Sequence, residues 1–332
     1  MRIALVSDAW HPQVNGVVRT LDRVAEELAA LGHRAAPITP ESFVTVPCPT
    51  YPEIRLALRP GGRLAGLLEA AAPEALHIAT EGPLGLAARR WCLGRKRPFT
   101  TSFHTRFPEY VAARTGLPPG LGYAWLRRFH RPSAGVLVAT ERLCAELSGR
   151  GFKRLKLWGR GVDTELFRPR HAPVLDLPRP RHLYVGRVAV EKNLPAFLDL
   201  ELAGSKLVVG GGPQLESLRR RYPDVHFLGP RFGEDLARVY ASCDVFVFPS
   251  LTDTFGLVML EALASGLPVA AFPVPGPLDV IGDSGAGALD RDLAAAARRA
   301  LAIPRARCRD YALGYSWRQT AERFVGYLAP WR

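Results

Sequence analysis

A loop in the second half of the chain carries two cations at a spacing suited to binding a diphosphate. Residues 185–193 read V-G-R-V-A-V-E-K-N, with Arg187 and Lys192 between a predicted strand and a predicted helix. Two cations on one loop can neutralise the charge of a departing diphosphate. Alternatively, Glu191 pairs with either cation as a surface ion pair.

A second pattern, P-S-L-T-D-T-F-G-L-V-M-L-E over residues 249–261, carries two acids eight positions apart. Asp253 lies in the loop after a predicted strand, and Glu261 lies on a helix predicted to begin near Gly256. The loop amides can approach a polar ligand, and Glu261 can accept hydrogen bonds from a ribose diol. Alternatively, Asp253 or Thr254 only caps the helix.

Two further candidates lie in the first half of the chain. Gly16 ends the loop D-A-W-H-P-Q-V-N-G and directly precedes a predicted helix, whose unpaired amides suit an anion such as diphosphate. His104 follows a short predicted strand in T-S-F-H-T-R-F, where binding residues of α/β sheets lie. Alternatively, the glycine serves only the turn and the histidine is structural.

Apolar runs and helical periodicity alternate along the whole chain, which predicts parallel sheets covered by helices. The fold class is therefore α/β, with two doubly wound, Rossmann-like domains and ligands bound in a cleft at the carboxyl ends of their strands. The predicted strands are 2–7, 75–79, 99–103, 135–139, 182–185, 206–209, 225–228, 245–248 and 268–272. The predicted helices are 17–31, 84–93, 141–147, 194–202, 214–221, 234–241, 256–264 and 317–328.

A proline-rich segment separates the two alternating halves. Pro169, Pro173, Pro178 and Pro180 lie within residues 167–180, which we predict to be a linker. The domains would then be residues 1–166 and 181–314. Residues 315–332 add an amphipathic helix with no strand after it.

Charge is concentrated in one segment. The 332 residues have a net charge of +13, and residues 86–160 hold 16 basic and three acidic side chains, with tryptophan and phenylalanine between them. Arg89, Arg90, Arg127 and Arg128 belong to this segment. A solvated basic face and docking to anionic lipid both fit the pattern. We expect no nucleic-acid partner, because no nucleic-acid-binding signature accompanies the charge.

The cysteines and the apolar runs indicate no metal site and no membrane span. The five cysteines include no C-x-x-C pair, which argues against a disulfide framework or a zinc site. No apolar run reaches the length of a transmembrane helix, and the N-terminus does not resemble a signal peptide. We expect a cytoplasmic protein that is peripheral on the cytoplasmic face of the inner membrane.

Taken together, these motifs resemble the retaining glycosyltransferases of family 4, which have the GT-B fold of two Rossmann-like domains facing a cleft. PQVNGVVRTL, HIATEGPLG, FHTRFPEY and TDTFGLVMLEALASGLPV are similar to one branch of the family. That branch includes sulfoquinovosyl-diacylglycerol synthases, GDP-mannose-dependent α-mannosyltransferases and bacterial glycosyl-diacylglycerol synthases. The resemblance also implies that the final helix crosses back to the N-terminal domain.

The resemblance implies catalytic roles for four residues. Arg187 and Lys192 would bind the donor diphosphate together with Gly16, Asp253 would contact sugar hydroxyls, and His104 would lie by the reacting centre. Glu261 would hold the ribose, and the remaining donor contacts would come from Thr254, Phe255, Gly256 and Leu257.

Two positions depart from the family pattern. The first acid of the pair is Asp253 where the family usually has Glu. The usual G-D-G-P turn reads G-G-G-P at residues 210–213 and lacks its acid.

The resemblance implies a hexosyltransferase that moves a hexose or uronic acid from a nucleotide sugar to a membrane lipid such as diacylglycerol, forming an α-glycolipid. A UDP-sugar is favoured, GDP-mannose is possible, and no cofactor is expected. Arg106 could favour an acidic sugar or headgroup, or it could pair with Glu109. The open alternatives are a soluble glycan or small-molecule acceptor, a sugar-nucleotide epimerase and a non-catalytic nucleotide-sugar sensor.

Overall fold

The chain forms two compact units in a computed structural model that describes residues 1–13, 15–48, 51–116, 118–170 and 175–331, without the side chains of 51–53, 110 and 113–115. Unit 1 consists of Met1–Arg160 and Trp317–Arg332, and unit 2 consists of Gly161–Ser316. Each unit contains a parallel six-stranded sheet whose strands are joined through helices. The fold class predicted from the alternating pattern is confirmed.

The strands of unit 1 form a parallel sheet in the order β2-β1-β5-β6-β7-β8, beside an antiparallel hairpin of β3 and β4. They are β1 (Arg2–Val6), β2 (Arg34–Ile38), β3 (Thr45–Cys48), β4 (Tyr51–Ala57), β5 (Ala75–Ile78), β6 (Thr100–Phe103), β7 (Gly135–Val138) and β8 (Leu155–Leu157). The strand order reverses between β1 and β5, which is where doubly wound sheets bind ligands.

The helices of unit 1 connect these strands. They are α1 (Gly16–Ala30), α2 (Gly61–Ala71), α3 (Pro83–Gly94), α4 (Phe107–Thr115), α5 (Pro119–His130) and α6 (Glu141–Gly149). In α1, Val18, Leu21, Val24 and Leu28 recur every three or four residues and are buried, as an amphipathic helix on a sheet requires.

Unit 2 has the strand order β11-β10-β9-β12-β13-β14, all parallel. The strands are β9 (Arg181–Val185), β10 (Ser205–Val209), β11 (His226–Gly229), β12 (Val245–Phe248), β13 (Val269–Ala271) and β14 (Gly287–Leu289). The order reverses between β9 and β12. All four residues of β12 are buried, as expected for a central strand covered on both faces.

Seven helices of unit 2 and one returning helix complete the described elements. They are α7 (Pro195–Leu198), α8 (Leu215–Arg221), α9 (Gly233–Ser242), α10 (Leu257–Ala264), α11 (Pro275–Val280), α12 (Leu293–Ala300), α13 (Arg305–Ala312) and α14 (Trp317–Tyr327). Helix α14 belongs to unit 1, where Trp158 Nε1 donates to Thr320 O at 3.0 Å and the Tyr327 hydroxyl donates to Leu157 O at 3.0 Å.

The proline-rich segment lies inside unit 2, because the units divide between residues 160 and 161. The Phe167 ring packs against Tyr240 at 5.6 Å, and Arg309 Nη1 donates to Phe167 O at 2.7 Å. These contacts bind the start of the segment to the helices of unit 2. Pro173 lies outside the described residues.

The helix predicted over residues 194–202 is wrong in length, because α7 ends at Leu198. Lys206 Nζ donates to Leu198 O at 2.6 Å and also to Leu200 O. A lysine that satisfies the last carbonyl groups stabilises a helix end.

Among the described residues, no helix combines the length and apolar character needed to cross a bilayer.

Candidate functional site

The predicted cations and the first acid of unit 2 lie where the strand order reverses. Arg187 and Lys192 follow β9, and Asp253 follows β12, the strand that pairs with β9. The carboxyl ends of neighbouring parallel strands share one edge of the sheet. The structure therefore places these three predicted residues at one edge.

A glycine-rich turn supports the backbone that carries Arg187. The Tyr184 hydroxyl donates to Arg187 O at 2.8 Å. Gly210 has a φ of +141°, and a Cβ there would lie 1.8 Å from Gly186 O. Only glycine permits this approach, so the G-G-G-P turn holds the cation-bearing loop through its backbone.

Lys192 and Asp253 form an ion pair between the two loops. A single 3₁₀ turn over Val190–Lys192 ends at Asn193, whose side-chain amide donates to Pro249 O at 3.1 Å. Lys192 Nζ then lies 2.5 Å from Asp253 Oδ1. The second oxygen, Asp253 Oδ2, is buried and accepts no hydrogen bond from the described residues. A buried acceptor of this kind needs a donor, which a bound ligand can supply.

Gly256 creates the sharp entry into α10. It is the N-cap residue at a φ of +85°, and a Cβ there would lie 2.7 Å from Met259 Cε. The N-cap residue of α10 is therefore Gly256 itself, and neither Asp253 nor Thr254 occupies that position. The entry therefore requires glycine.

Glu261 lies on α10 and is almost fully buried. The Tyr240 hydroxyl, from α9, lies 3.0 Å from Glu261 Oε2 and donates to it. Burial without a partner would be costly for a carboxylate. Tyr240, which belongs to none of the sequence motifs, therefore fixes the orientation of Glu261.

At the reversal point of unit 1, Asn15 caps the helix that begins at Gly16. Asn15 Oδ1 accepts from the amides of Val17 and Val18, each at 3.0 Å. Two of the first backbone amides of α1 therefore already donate to Asn15. The predicted anion site is then limited to the backbone around Gly16.

Asp8, at the end of β1, is a structural cap of α3 in this structure. Asp8 Oδ1 accepts from the Leu84 amide at 2.8 Å, and Oδ2 accepts from the Thr80 hydroxyl at 2.8 Å. Burial is the largest effect on the Asp8 carboxyl and raises its pKa. A Cβ at Gly82 would lie 2.5 Å from Asp8 Cγ, so the T-E-G-P-L-G motif requires glycine there.

His104 lies at the carboxyl end of β6, as predicted, and is buried. Its Nδ1 is 3.2 Å from Arg160 Nη2, and its ring lies 5.9 Å from that of Trp158. Burial, followed by the charge of Arg160 and by His77, lowers the pKa of His104 well below its ordinary value. Arg160 is 56 residues away in sequence, and no local pattern indicates the contact.

Arg106 forms ion pairs inside unit 1. Its guanidinium donates to both carboxylate oxygens of Glu146, at 3.1 and 2.7 Å, and lies 3.7 Å from Glu109. The predicted alternative, pairing with Glu109, is therefore confirmed. The stronger contact is to Glu146, which is 40 residues away.

The other predicted basic residues lie around α3 and α5. Arg89 donates to the carbonyls of Arg128 and Phe129, Arg127 donates to Arg150 O, and Arg90 donates to Leu86 O. Arg90, Arg127 and Arg128 remain exposed. Carbonyl groups carry no formal charge, so the contacts of Arg90 and Arg127 do not neutralise their guanidinium groups. With Arg128 they form an exposed basic surface.

In the part of the chain that the structure describes, no three histidine, cysteine or acidic residues are grouped to hold a metal ion. Residues 290–292 read D-R-D, and the two aspartates of this triplet make contacts within the protein. Asp292 caps α12 through the amides of Ala294 and Ala295, and Asp290 pairs with Arg299 at 2.5 Å.

Comparison with known families places both halves of the chain. The family profile described as "Glycosyltransferase Family 4" matches residues 14–166, and the profile described as "Glycosyl transferases group 1" matches residues 179–303.

Curated relatives match over most of the chain. A GDP-mannose-dependent alpha-mannosyltransferase of Mycobacterium tuberculosis is 33% identical over 85% of this chain and 81% of its own length. Sulfoquinovosyl transferase SQD2 of Arabidopsis thaliana is 31% identical over 80% of this chain and 54% of its own length. An alpha-monoglucosyldiacylglycerol synthase of Streptococcus pneumoniae is 28% identical over 91% of this chain and 78% of its own length.

Solved structures share the fold at lower identity. Sucrose-phosphate synthase from Thermosynechococcus elongatus superposes with a TM-score of 0.79 at 21% identity, covering 98% of this chain and 97% of that one. HepE of Anabaena in complex with UDP-glucose superposes with a TM-score of 0.73 at 15% identity, covering 98% of each chain.

Proposed function

The chain belongs to the family 4 glycosyltransferases, and on that premise we propose that it transfers a sugar from a nucleotide donor to a membrane lipid with retention of configuration. As a member of this family it is a hexosyltransferase that uses nucleotide sugars and has the GT-B fold. The proposed acceptor is a lipid such as diacylglycerol, and the product is an α-glycolipid.

One observation carries the donor side of the proposal. Lys192 holds Asp253 by one oxygen, while the buried Oδ2 of Asp253 accepts no hydrogen bond from the described residues. A sugar hydroxyl is a donor of the right kind, and Arg187 on the same loop as Lys192 provides positive charge for the adjoining diphosphate. Glu261, held by Tyr240, takes the ribose.

The proposed reaction needs charge stabilisation more than proton transfer by the protein. The bond from the anomeric carbon to the diphosphate oxygen breaks, and the acceptor oxygen forms its bond to that carbon on the same face. The acceptor proton goes to the leaving phosphate oxygen. Arg187 and Lys192 offset the charge that develops on the diphosphate, and the products are a nucleoside diphosphate and a glycoside.

In unit 1, two residues have the roles that the family resemblance implies. His104 orients the donor sugar, and the helix start at Gly16 favours the diphosphate. Exclusion of water would suppress hydrolysis of the donor during transfer.

An exposed surface of unit 1 supports the lipid acceptor. Phe107 and Val111 are four residues apart on α4, and Leu121 and Trp125 are four apart on α5; all four side chains are exposed. We call these residues, together with Arg127 and Arg128, the α4–α5 surface. Large apolar side chains next to arginines suit the headgroup region of an anionic membrane.

The name of one relative supports a lipid acceptor. The relatives and one structural neighbour together leave two candidate donors, a UDP-sugar and GDP-mannose. The streptococcal relative is named as an alpha-monoglucosyldiacylglycerol synthase, and the mycobacterial relative as a GDP-mannose-dependent alpha-mannosyltransferase. The structural neighbour HepE was solved with UDP-glucose. We propose a UDP-sugar as the preferred donor, with GDP-mannose as the second.

The proposal is tested by identifying the product. Purified protein is incubated with diacylglycerol in anionic or neutral liposomes and a panel of UDP- and GDP-sugars, and the lipid phase is read by mass spectrometry. A glycolipid from one donor, formed faster on anionic liposomes and less at high salt, is the expected result. Nucleotide release without glycolipid would overturn the lipid acceptor, and isomerised donor would indicate an epimerase.

A further inference from the structure

The contact between Arg160 and His104 determines which ring nitrogen of His104 carries a proton. Arg160 Nη2 lies 3.2 Å from His104 Nδ1, within unit 1. A guanidinium has only donors, so Nδ1 must accept the hydrogen bond with its lone pair. The neutral imidazole then carries its proton on Nε2.

Arg160 is itself held in place. Its Nη1 donates to Trp158 O at 2.7 Å and to Gly159 O at 2.9 Å, and the guanidinium lies 4.6 Å from the centre of the Trp158 ring. Burial lowers the pKa of Arg160 to about 9, so it remains a charged donor at neutral pH.

The surroundings of His104 also favour its neutral form. After burial, the charges of Arg160 and His77 lower the pKa of His104 further. His77 is fully buried between the hydroxyls of Thr100 and Ser102, each at 2.9 Å, and burial lowers the pKa of His77 to about 3. Neither neighbour supplies a negative charge that would stabilise an imidazolium.

We propose that Arg160 is a positioning residue that fixes His104 as the neutral Nε2–H tautomer. His104 then donates a hydrogen bond in the transfer reaction and does not remove the acceptor proton. The catalytic part of this inference rests on the proposed function, whereas the tautomer itself can be measured without any substrate.

The tautomer is read by NMR of the full chain with ¹⁵N-labelled histidine, with His104 assigned from the signal lost in His104→Gln. We expect the Nε2–H pattern from pH 5.5 to 8.5 in the wild type and in Arg160→Lys, which keeps a charged donor. In Arg160→Met the pattern should shift towards Nδ1–H or begin to titrate, while the His77 signals stay unchanged as an internal control.

Two spectra would overturn the proposal. One is a wild-type His104 that is Nδ1–H or doubly protonated at pH 7. The other is an Arg160→Met spectrum identical to that of the wild type. Because the wild-type spectrum decides the tautomer by itself, the proposal stays testable if Arg160→Met does not fold.

Kinetics test the consequence for the reaction. Arg160→Met should lower kcat by about 10- to 100-fold, as expected when a positioned group is lost, with a smaller change in KM and a new loss of activity at acidic pH. Arg160→Lys should recover most of kcat, and Arg34→Met, at an exposed position on β2 of the same unit, should match the wild type.

The kinetic outcomes separate the two proposals. An altered tautomer with unchanged kcat would overturn the role of Arg160 in the reaction. If the wild type transfers sugar from no donor, the proposed function fails, while the NMR result still decides the tautomer.

Discussion

Asp253 uses its two carboxylate oxygens differently. Oδ1 pairs with Lys192 across two loops, and the buried Oδ2 accepts no hydrogen bond from the described residues. An aspartate is one methylene shorter than the glutamate usual at this position, and the lysine reaches it from the neighbouring strand end. The charge of Asp253 is therefore partly neutralised by Lys192, and its second oxygen is suited to a hydroxyl donor.

Removing the first cation of the loop should affect the chemical step. Arg187→Ala should lower kcat by about 100-fold, since a group that stabilises leaving-group charge is typically worth that much. Steady-state transfer assays with the preferred donor measure this. Arg219→Ala, an exposed arginine on α8 of the same unit, is the matched control. If Arg187→Ala stays within a few-fold of the wild type, the diphosphate assignment is wrong.

Removing the support of Glu261 should affect donor binding. Tyr240→Phe deletes the hydroxyl that donates to Glu261 Oε2 and leaves the ring packed against Phe167. A hydrogen bond to a charged group is worth about 1.5–3 kcal/mol, so donor KM should rise roughly 10- to 150-fold. Kinetics with varied donor concentration would show it, and an unchanged KM would contradict the role given to Tyr240.

The sequence reveals the site residues that recur in short motifs and misses those that act through tertiary contacts. Arg187, Lys192 and Asp253 could be selected because each follows a recognisable strand. Arg160 and Tyr240 could not be selected, because their partners lie 56 and 21 residues away.

Among the secondary-structure elements, short buried strands were the easiest to predict. Continuous apolar runs such as β7 and β12 leave few alternatives to a central parallel strand. Helices α4 and α5 were missed, since Pro108, Pro119 and Gly120 interrupt their sequences. The buried residues Tyr123, Leu126 and Phe129 recur every three positions, and this spacing was the available signal for α5.

The length of α7 was misjudged for a different reason. Leu200 and Leu202 continue the apolar pattern, but Lys206 from β10 satisfies carbonyl groups at the end of the helix. The contact is tertiary, so the helical periodicity alone predicts a longer element.

The α4–α5 surface should account for membrane binding. Leu121→Ser combined with Trp125→Ser removes two exposed apolar side chains on one face of α5 and should weaken binding to anionic liposomes by about tenfold or more. Liposome sedimentation measures this. Leu313→Ser, at an exposed leucine of unit 2, should bind as the wild type does. Equal losses in both variants would contradict a docking role for this surface.

For the molecule as a whole, the tryptophan side chains distinguish the two units. All six tryptophans lie within Met1–Arg160 and Trp317–Arg332, so tryptophan fluorescence follows the unfolding of unit 1. The division at residues 160 and 161 was not visible in the sequence, because proline content marks a later segment. The proline pattern carries no information on tertiary contacts such as the packing of Phe167 on Tyr240.

The buried His77 should make unit 1 less stable in acid. Its pKa is lowered to about 3 in the folded chain, against about 6.5 when exposed. Below pH 6.5 the unfolded chain therefore binds a proton that the folded chain does not. Stability falls as pH falls, by about 2 kcal/mol between pH 6.5 and pH 5.

A substitution isolates this contribution. His77→Asn keeps polar atoms near Thr100 and Ser102 but cannot be protonated, so its stability should fall less steeply over the same pH range. Urea unfolding followed by tryptophan fluorescence at several pH values provides the comparison. Parallel pH profiles for the two proteins would contradict the neutral state of His77.

The central claim is that sugar passes from a nucleotide to a lipid with its configuration retained. The most direct measurement is the anomeric configuration of the product, read from the one-bond carbon–proton coupling in the glycolipid made from a ¹³C-labelled α-linked donor. We expect the labelled sugar in the lipid phase with an α linkage. A β linkage would contradict the retaining mechanism, and label confined to the aqueous phase would contradict the lipid acceptor.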